Sequence, residues 1–269
     1  MAKWFCMDIN VCILESKSII EQVVAVVIPI ITAILAYLTF LHQRRTFKEE
    51  QFKSAFYQTQ NFHRKLADAL KVNANLISQD MESFYRTFLG RQCFLFANNE
   101  VRSIIEALSQ KKYLGELKDT DIESINQWQI RQDEYSDNEE NRLKAIKMEH
   151  IARNDCKYKF YIKTYHISEN DYNKAKTLSN KGEYAFRIFL NERNICYEHY
   201  IRSLQEILEF VRMDIPKKLK TRTFLRYIAS QMAIEELWFI KQYSHIDSSF
   251  HKCYTDSGMD KVVEEQLTK

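Results

Sequence analysis

From Val23 to Leu41 the chain reads VVAVVIPIITAILAYLTFL, without one charged residue. At about 1.5 Å of rise per helical residue, such a run nearly crosses a hydrocarbon core about 30 Å thick, and Ile19 and Ile20 lengthen it. A cleavable signal peptide would have a basic start, a shorter apolar run and a small-residue cleavage site. Here mixed residues precede the run and His42-Gln43-Arg44-Arg45 ends it. The pattern predicts a retained transmembrane helix over 19–41, a short extracytoplasmic N-terminus at 1–18 and a cytoplasmic helical domain over 42–269. Pro29 lies inside the run, where it removes one backbone donor.

The flanks set the expected orientation. Arg44, Arg45, Lys48 and Lys53 follow the run closely, whereas Lys3 and Lys17 are the basic residues before it. Because Lys and Arg favour the cytoplasmic side, the N-terminus is expected outside and the bulk of the chain inside. Ala25, Ala33 and Ala36, with Thr32 and Thr39, offer a small-residue face on which membrane helices could meet.

Beyond the membrane run, the fold class follows from what is scarce. Four glycines (Gly90, Gly115, Gly182 and Gly258) and two prolines are spread over 269 residues. Glycine-cradled phosphate loops, Rossmann turns and turn-rich sandwiches need more. With 45% hydrophobic and 28% charged residues, the chain reads as all-α, and its 15 Tyr and 17 Phe supply apolar area that excludes wholesale disorder. A net charge of +3 does not by itself point to nucleic acid or a membrane surface. The six dispersed cysteines (Cys6, Cys12, Cys93, Cys156, Cys196 and Cys253) fit reduced thiols in a cytosolic domain better than a secreted disulfide framework.

Helical spacing recurs in several segments. Phe47, Phe52, Ala55, Phe56, Phe62, Leu66 and Leu70 suit a helix continuing out of the bilayer. Phe94, Leu95, Val101, Ile104, Ile105 and Leu108 predict a helix over about 91–109. The polar stretch after Asp119 predicts exposed helices with a loop at Tyr135–Glu139, and roughly 116–180 is the least informative part. Ile195, Ile201, Leu204, Leu208 and Val211 mark a helix that stops before Pro216. Phe224, Leu225, Ile228, Met232, Leu237, Trp238 and Ile240 predict one second long helix, packed antiparallel on the first.

Some of these residues are familiar. An apolar N-terminal segment runs into F-x3-F-x6-H, here Phe52, Phe56 and His63; a G-R-x-x-F element follows at Gly90, Arg91 and Phe94. HYIRSLQEILEF from His199 to Phe210 matches an H-Y-F-R-x-L-Y-x-I-L-K segment. ASQMAIEELWFIKQY from Ala229 to Tyr243 matches R-A-Q-L-S-x-x-E-L-x-L-L-F-Y-N, keeping Gln231, Glu236 and Leu237. In these features the chain resembles the putAbiC phage abortive infection family of bacterial membrane-anchored defence proteins, most strongly over 184–245. Ala229 stands where the family has arginine, and Lys241-Gln242-Tyr243 replaces its F-Y-N ending.

The resemblance implies an antiphage defence (abortive infection) role for a single-pass protein of the bacterial inner membrane. Its expected partners are the lipid bilayer, further copies of itself, and a phage-derived trigger or a neighbouring defence protein. The leading expectation is a non-enzymatic effector acting by regulated self-association and membrane disruption. One alternative is a membrane sensor or anchor that recruits a separate toxin. Another comes from Arg193 and His199, which are similar to the R-x4-6-H motif of HEPN ribonucleases: His moves protons and Arg steadies phosphate charge. The same two residues also fit a surface ion pair and an interface histidine.

The family-matched polar residues Tyr200, Arg202, Gln231 and Glu236 need partners if buried, and Arg202 or Arg226 paired with Glu236 would lock two helices in register. Cys196 with His199, and His251 with Cys253, do not follow a recognised zinc spacing, so no metal and no cofactor is expected. Lys217, Lys218, Lys220, Arg222 and Arg226 form a basic stretch that suits either a solvated connection or contact with RNA, DNA or anionic lipid.

Overall fold

The structure is a computed structural model. It describes residues 2–77, 83–114, 119–134, 138–178, 180–216 and 219–268, with side chains from Val27 onward except at 77, 83, 119, 120 and 133. The chain divides into two compact units, Met1–Ala55 and Phe56–Lys269.

The first unit belongs to helix α1 (Ala2–Ala69), which continues through Pro29. Each described residue from Val27 to Phe40 is exposed, and among the described residues α1 is the helix long and apolar enough to cross a membrane. The Thr32 and Thr39 hydroxyls donate to the carbonyls of Ile28 and Leu35, both at 2.8 Å. Bonding back within the helix satisfies a hydroxyl that an apolar medium could not. Ala33 and Ala36 are exposed; the Ala25 side chain lies outside the described residues.

The second unit opens on the last turns of α1 and on a hairpin that the glycine-poor, helix-rich composition hid. Strands β1 (Lys71–Ile77) and β2 (Ser83–Leu89) pair antiparallel, Val72 opposite Phe88 and Ala74 opposite Arg86. In KVNANLI, Val72 and Ala74 are buried between exposed Lys71, Asn73 and Asn75, the period-two pattern of a half-buried strand. Gly90 closes the hairpin with φ of +56°, and its N–H donates to the Leu70 carbonyl at 2.8 Å. A Cβ there would stand 3.3 Å from the Asp68 carbonyl oxygen, in a backbone region that L side chains avoid. Gly90→Ala is therefore expected to lower stability by about 1–3 kcal/mol, read as a lower urea midpoint at unchanged slope.

Among the described residues this unit contains nine further α-helices. They are α2 (Gln92–Ala107), α3 (Asp119–Glu134), α4 (Glu139–Thr164), α5 (Glu169–Thr177), α6 (Lys181–Asp214), α7 (Thr221–Ser230), α8 (Ile234–Ser244), α9 (Ser248–Ser257) and α10 (Met259–Leu267). Asn138 caps α4 by accepting from the Asn141 N–H; residues 135–137 of the expected loop lie outside the described residues. Ser168 and Asp171 form a capping box at α5. Gly258, at φ +83°, turns α9 into α10.

The central element is α6. Its buried stripe, including Tyr197, Tyr200, Leu204, Leu208 and Val211, packs among α2, α8 and α9. Aromatic rings fill the middle: Phe239 lies 4.5 Å from Tyr197, 5.1 Å from Phe186 and 5.4 Å from Phe94 between ring centroids. Offset and edge-on contacts of this kind add to the apolar area that each ring buries.

The expected long helix over Phe224–Ile240 is instead two helices. α7 ends at Ser230, and α8 begins at Ile234 after Ala233 turns extended (φ −72°, ψ 160°). The apolar spacing carries across the break because Phe224, Leu225, Ile228, Leu237 and Ile240 all reach the core. The reason for the break lies in the polar residues beside it.

Candidate functional site

At the α7–α8 break, Ala233 lacks a side chain able to cap the new helix. The Glu236 carboxylate does so from three residues on, its Oε2 accepting from the Ala233 N–H at 3.2 Å. Arg91, at the start of α2, donates from Nη2 to the Gln231 carbonyl at 2.6 Å, and its Nε lies 3.9 Å from Glu236 Oε2. The other carboxylate oxygen, Oε1, accepts from the Tyr200 hydroxyl at 2.6 Å. Glu236 is only 2% exposed and Tyr200 is fully buried.

The cluster is closed by rings. His63 from α1 lies over Tyr200 with centroids 4.5 Å apart, and Phe94 from α2 meets Tyr200 edge-on at 5.0 Å. His63 is buried, yet among the described residues neither ring nitrogen has a hydrogen-bond partner. Burial without a compensating bond disfavours the imidazolium and pulls the His63 pKa down to about 4. Burial likewise raises the Glu236 carboxyl above the usual carboxylate range, against the pull of the Tyr200 hydroxyl, the Ala233 N–H and Arg91. It also lifts the Tyr200 hydroxyl well above its ordinary value, with Glu236 adding to the effect.

His63, Arg91, Phe94, Tyr200, Gln231 and Glu236 thus come together from four sequence-distant segments. All six belong to the family-like motifs. Neither arginine expected to pair with Glu236 does so: Arg202 bonds Glu198 one turn back on its own helix, and Arg226 bonds Glu265 of α10 at 3.0 Å. Arg202 lies on the exposed side of α6, whereas Arg91 sits beside the α7–α8 break. Arg222 also bonds Glu265, so these two cations of the basic stretch are paired; Lys217 and Lys218 lie outside the described residues.

Arg193 and His199 leave α6 in directions about 120° apart, as six helical steps require. Arg193 Nη1 donates to the Asn73 carbonyl of β1 at 3.1 Å, while His199 is exposed. Cys93, Cys156, Cys196 and Cys253 are free thiols, and burial raises the pKa of Cys93 and Cys253 to about 11. Among the described residues no group of three or more His, Cys, Asp or Glu converges as metal ligands would.

A second buried carboxylate escaped the sequence reading. Glu100 is 3% exposed; its Oε1 accepts from the Tyr161 hydroxyl at 2.9 Å, and its Oε2 from the Tyr165 hydroxyl. Burial raises its pKa, with the two hydroxyls, Arg193 and Lys157 opposing. The signal was its position: Glu100 lies on the α2 stripe that carries Phe96, Ala97, Val101 and Ile104. A carboxylate on such a stripe must find donors inside the fold.

No protein-family model, curated protein or solved structure matches the chain. Among the described residues, fold and site define an all-α protein with one helix long and apolar enough to cross a membrane, whose second unit holds buried His63, Tyr200 and Glu236 with Arg91 at their exposed edge.

Proposed function

We propose that the chain is a membrane-anchored antiphage effector of the abortive-infection kind, acting without enzymatic chemistry by regulated self-association and membrane disruption. The observation that carries this reading is the apolar segment of α1: Ile28, Ile30, Ile31, Ile34, Leu35, Leu38 and Phe40 are each at least half exposed. That much contiguous apolar surface calls for lipid or for other helices. The antiphage role itself comes from the resemblance of the sequence motifs.

In this reading the membrane is the bacterial inner membrane, with the N-terminus outside and 42–269 in the cytoplasm. A phage-derived trigger or a neighbouring defence protein acts on the cytoplasmic helices. One helix encloses no pore, so disruption requires several copies meeting through faces such as Ala33 and Ala36.

A voltage-sensitive dye in phage-infected cells tests the proposal. Early loss of membrane potential is expected with the intact protein and not with Val27→Arg, which interrupts the apolar run. Ala33→Leu or Ala36→Leu should weaken both assembly and protection. Preserved potential alongside full protection would reduce the helix to a tether and overturn the mechanism.

A further inference from the structure

The β1–β2 hairpin is a two-stranded sheet, so each strand has an edge turned away from the other. The Gly90 N–H donates to the Leu70 carbonyl, which makes these two a hydrogen-bonded pair and sets the alternation that follows. Val72–Phe88 and Ala74–Arg86 therefore bond across the hairpin. Lys71–Leu89, Asn73–Thr87 and Asn75–Tyr85 turn their main-chain N–H and C=O groups outward.

The two edges differ. On β1 the outward Asn73 carbonyl already accepts from Arg193 Nη1 at 3.1 Å. On β2, among the described residues, no hydrogen bond reaches the outward main-chain groups of Tyr85, Thr87 or Leu89; the Thr87 bond to Asn73 is made by its side chain. All three residues are exposed, Tyr85 by 66% and Leu89 by 59%. Edge strands are usually blunted by proline, lysine, a bulge or a covering element. Ser83–Leu89 contains no proline and no lysine, and its ladder with β1 runs without a bulge. Its one charge, Arg86, lies over the ring of its own neighbour Phe88, 5.0 Å from the centroid.

The sequence of the edge selects what can pair with it. Tyr85-Arg86-Thr87-Phe88-Leu89 is complementary to itself when reversed about Thr87. In that register Thr87 meets Thr87 of a second copy and exposed Tyr85 meets exposed Leu89, while Arg86 faces an aromatic residue and no second charge. Centring on Arg86 would set two guanidinium groups opposite each other, and centring on Phe88 would carry Tyr85 past the end of the strand. Self-complementarity about one residue is what a two-fold contact between identical copies requires; a foreign strand has no need of it.

We propose that β2 pairs antiparallel with β2 of a second copy about a two-fold axis at Thr87, joining two hairpins into one four-stranded sheet. Thr87 exchanges both main-chain hydrogen bonds with its counterpart, and Tyr85 does so with Leu89 on either side. The surface belongs to the second unit and is separate from Ala33 and Ala36. So short a contact depends on copies being held close together, as in a shared bilayer, and in that respect it rests on the membrane-anchored reading.

Disulfide trapping of the full chain tests it. Cysteine replaces Tyr85, Arg86, Thr87 or Leu89 singly, the wild-type chain with its own thiols gives the background, and copper–phenanthroline is added to whole extracts. A bonded antiparallel pair holds its Cα atoms about 5.5 Å apart, within disulfide reach. Thr87→Cys meets itself and is expected to give roughly fivefold or more linked dimer than Tyr85→Cys or Leu89→Cys alone, whereas those two coexpressed should link to each other. Tyr85→Pro removes an outward N–H and no bond to β1, so adding it to Thr87→Cys should cut linkage by roughly fivefold or more at an unchanged melting midpoint. Absence of linkage at Thr87 above background would overturn the interface, whichever fraction holds the chain. So would equal linkage at all four positions, a maximum at Arg86, or undiminished linkage in the proline variant at an intact fold. Sedimentation of the chain with membranes, read in the same extracts, reports the anchor separately.

Discussion

Glu236→Ala is expected to destabilise the Phe56–Lys269 unit by about 3 kcal/mol, lowering its melting temperature by roughly 10 °C. The Tyr200 hydroxyl, fully buried, would lose its acceptor, which costs about 1–3 kcal/mol. The Ala233 N–H would lose the cap that starts α8, about 1 kcal/mol more. Arg91, which is 42% exposed on its side chain, can turn to water and adds little. Tyr200→Phe tests the pairing itself. It leaves the carboxylate one donor short, so the two single changes and the double change should be non-additive by about 1 kcal/mol or more. Additive effects would mean that the two residues act separately.

The second large effect concerns acid. An ordinary histidine titrates near 6.5, whereas His63 in the fold is held at about 4. A base whose folded pKa is depressed is protonated more readily when unfolded, so stability falls as pH drops from about 6.5 to about 4. The full difference corresponds to about 3 kcal/mol. Glu236 and Glu100 act in the opposite sense: their raised folded pKa values make the folded state bind protons more readily, which favours it as pH falls. The comparison with His63→Phe separates these contributions, since both proteins share the two glutamates. Phenylalanine keeps a ring over Tyr200 and removes the unpaired nitrogens, so its stability advantage should widen between pH 6.5 and pH 4. Parallel pH profiles of the two proteins would mean that His63 titrates in the fold as it does in the unfolded chain, and would overturn its burial as an unprotonated ring.

Helix positions were legible wherever apolar residues recur at helical spacing, as over 91–109 for α2 and 195–211 for α6. The break at Gln231–Ala233 was not, because spacing reports which residues face the core and is blind to a turn that keeps the same face inward. The hairpin was hidden for a different reason: Gly90 is a single positive-φ residue, and two seven-residue strands are a faint signal beside helices as long as α6. Tyr200, Gln231 and Glu236 were identified as a group, but their partner was misassigned. Arg91 is distant along the chain from all three, and only the folded arrangement of α2 against α8 brings it near. Glu100 could have been found as the charged residue on an apolar stripe; its tyrosine partners, in the least patterned third, could not.

The Glu236 cluster also dictates an order of events during synthesis. His63 and Arg91 leave the ribosome early, behind an apolar segment suited to membrane insertion, while Tyr200 and Glu236 emerge far later. At about 5–20 residues added per second, the wait between Arg91 and Glu236 is on the order of ten seconds. Throughout that time the helix following the apolar run has no tyrosine for His63 to rest on, and α2 has no carboxylate for Arg91. Insertion can therefore precede closure of the domain, and a truncated product would carry the apolar helix without the cluster that completes the second unit.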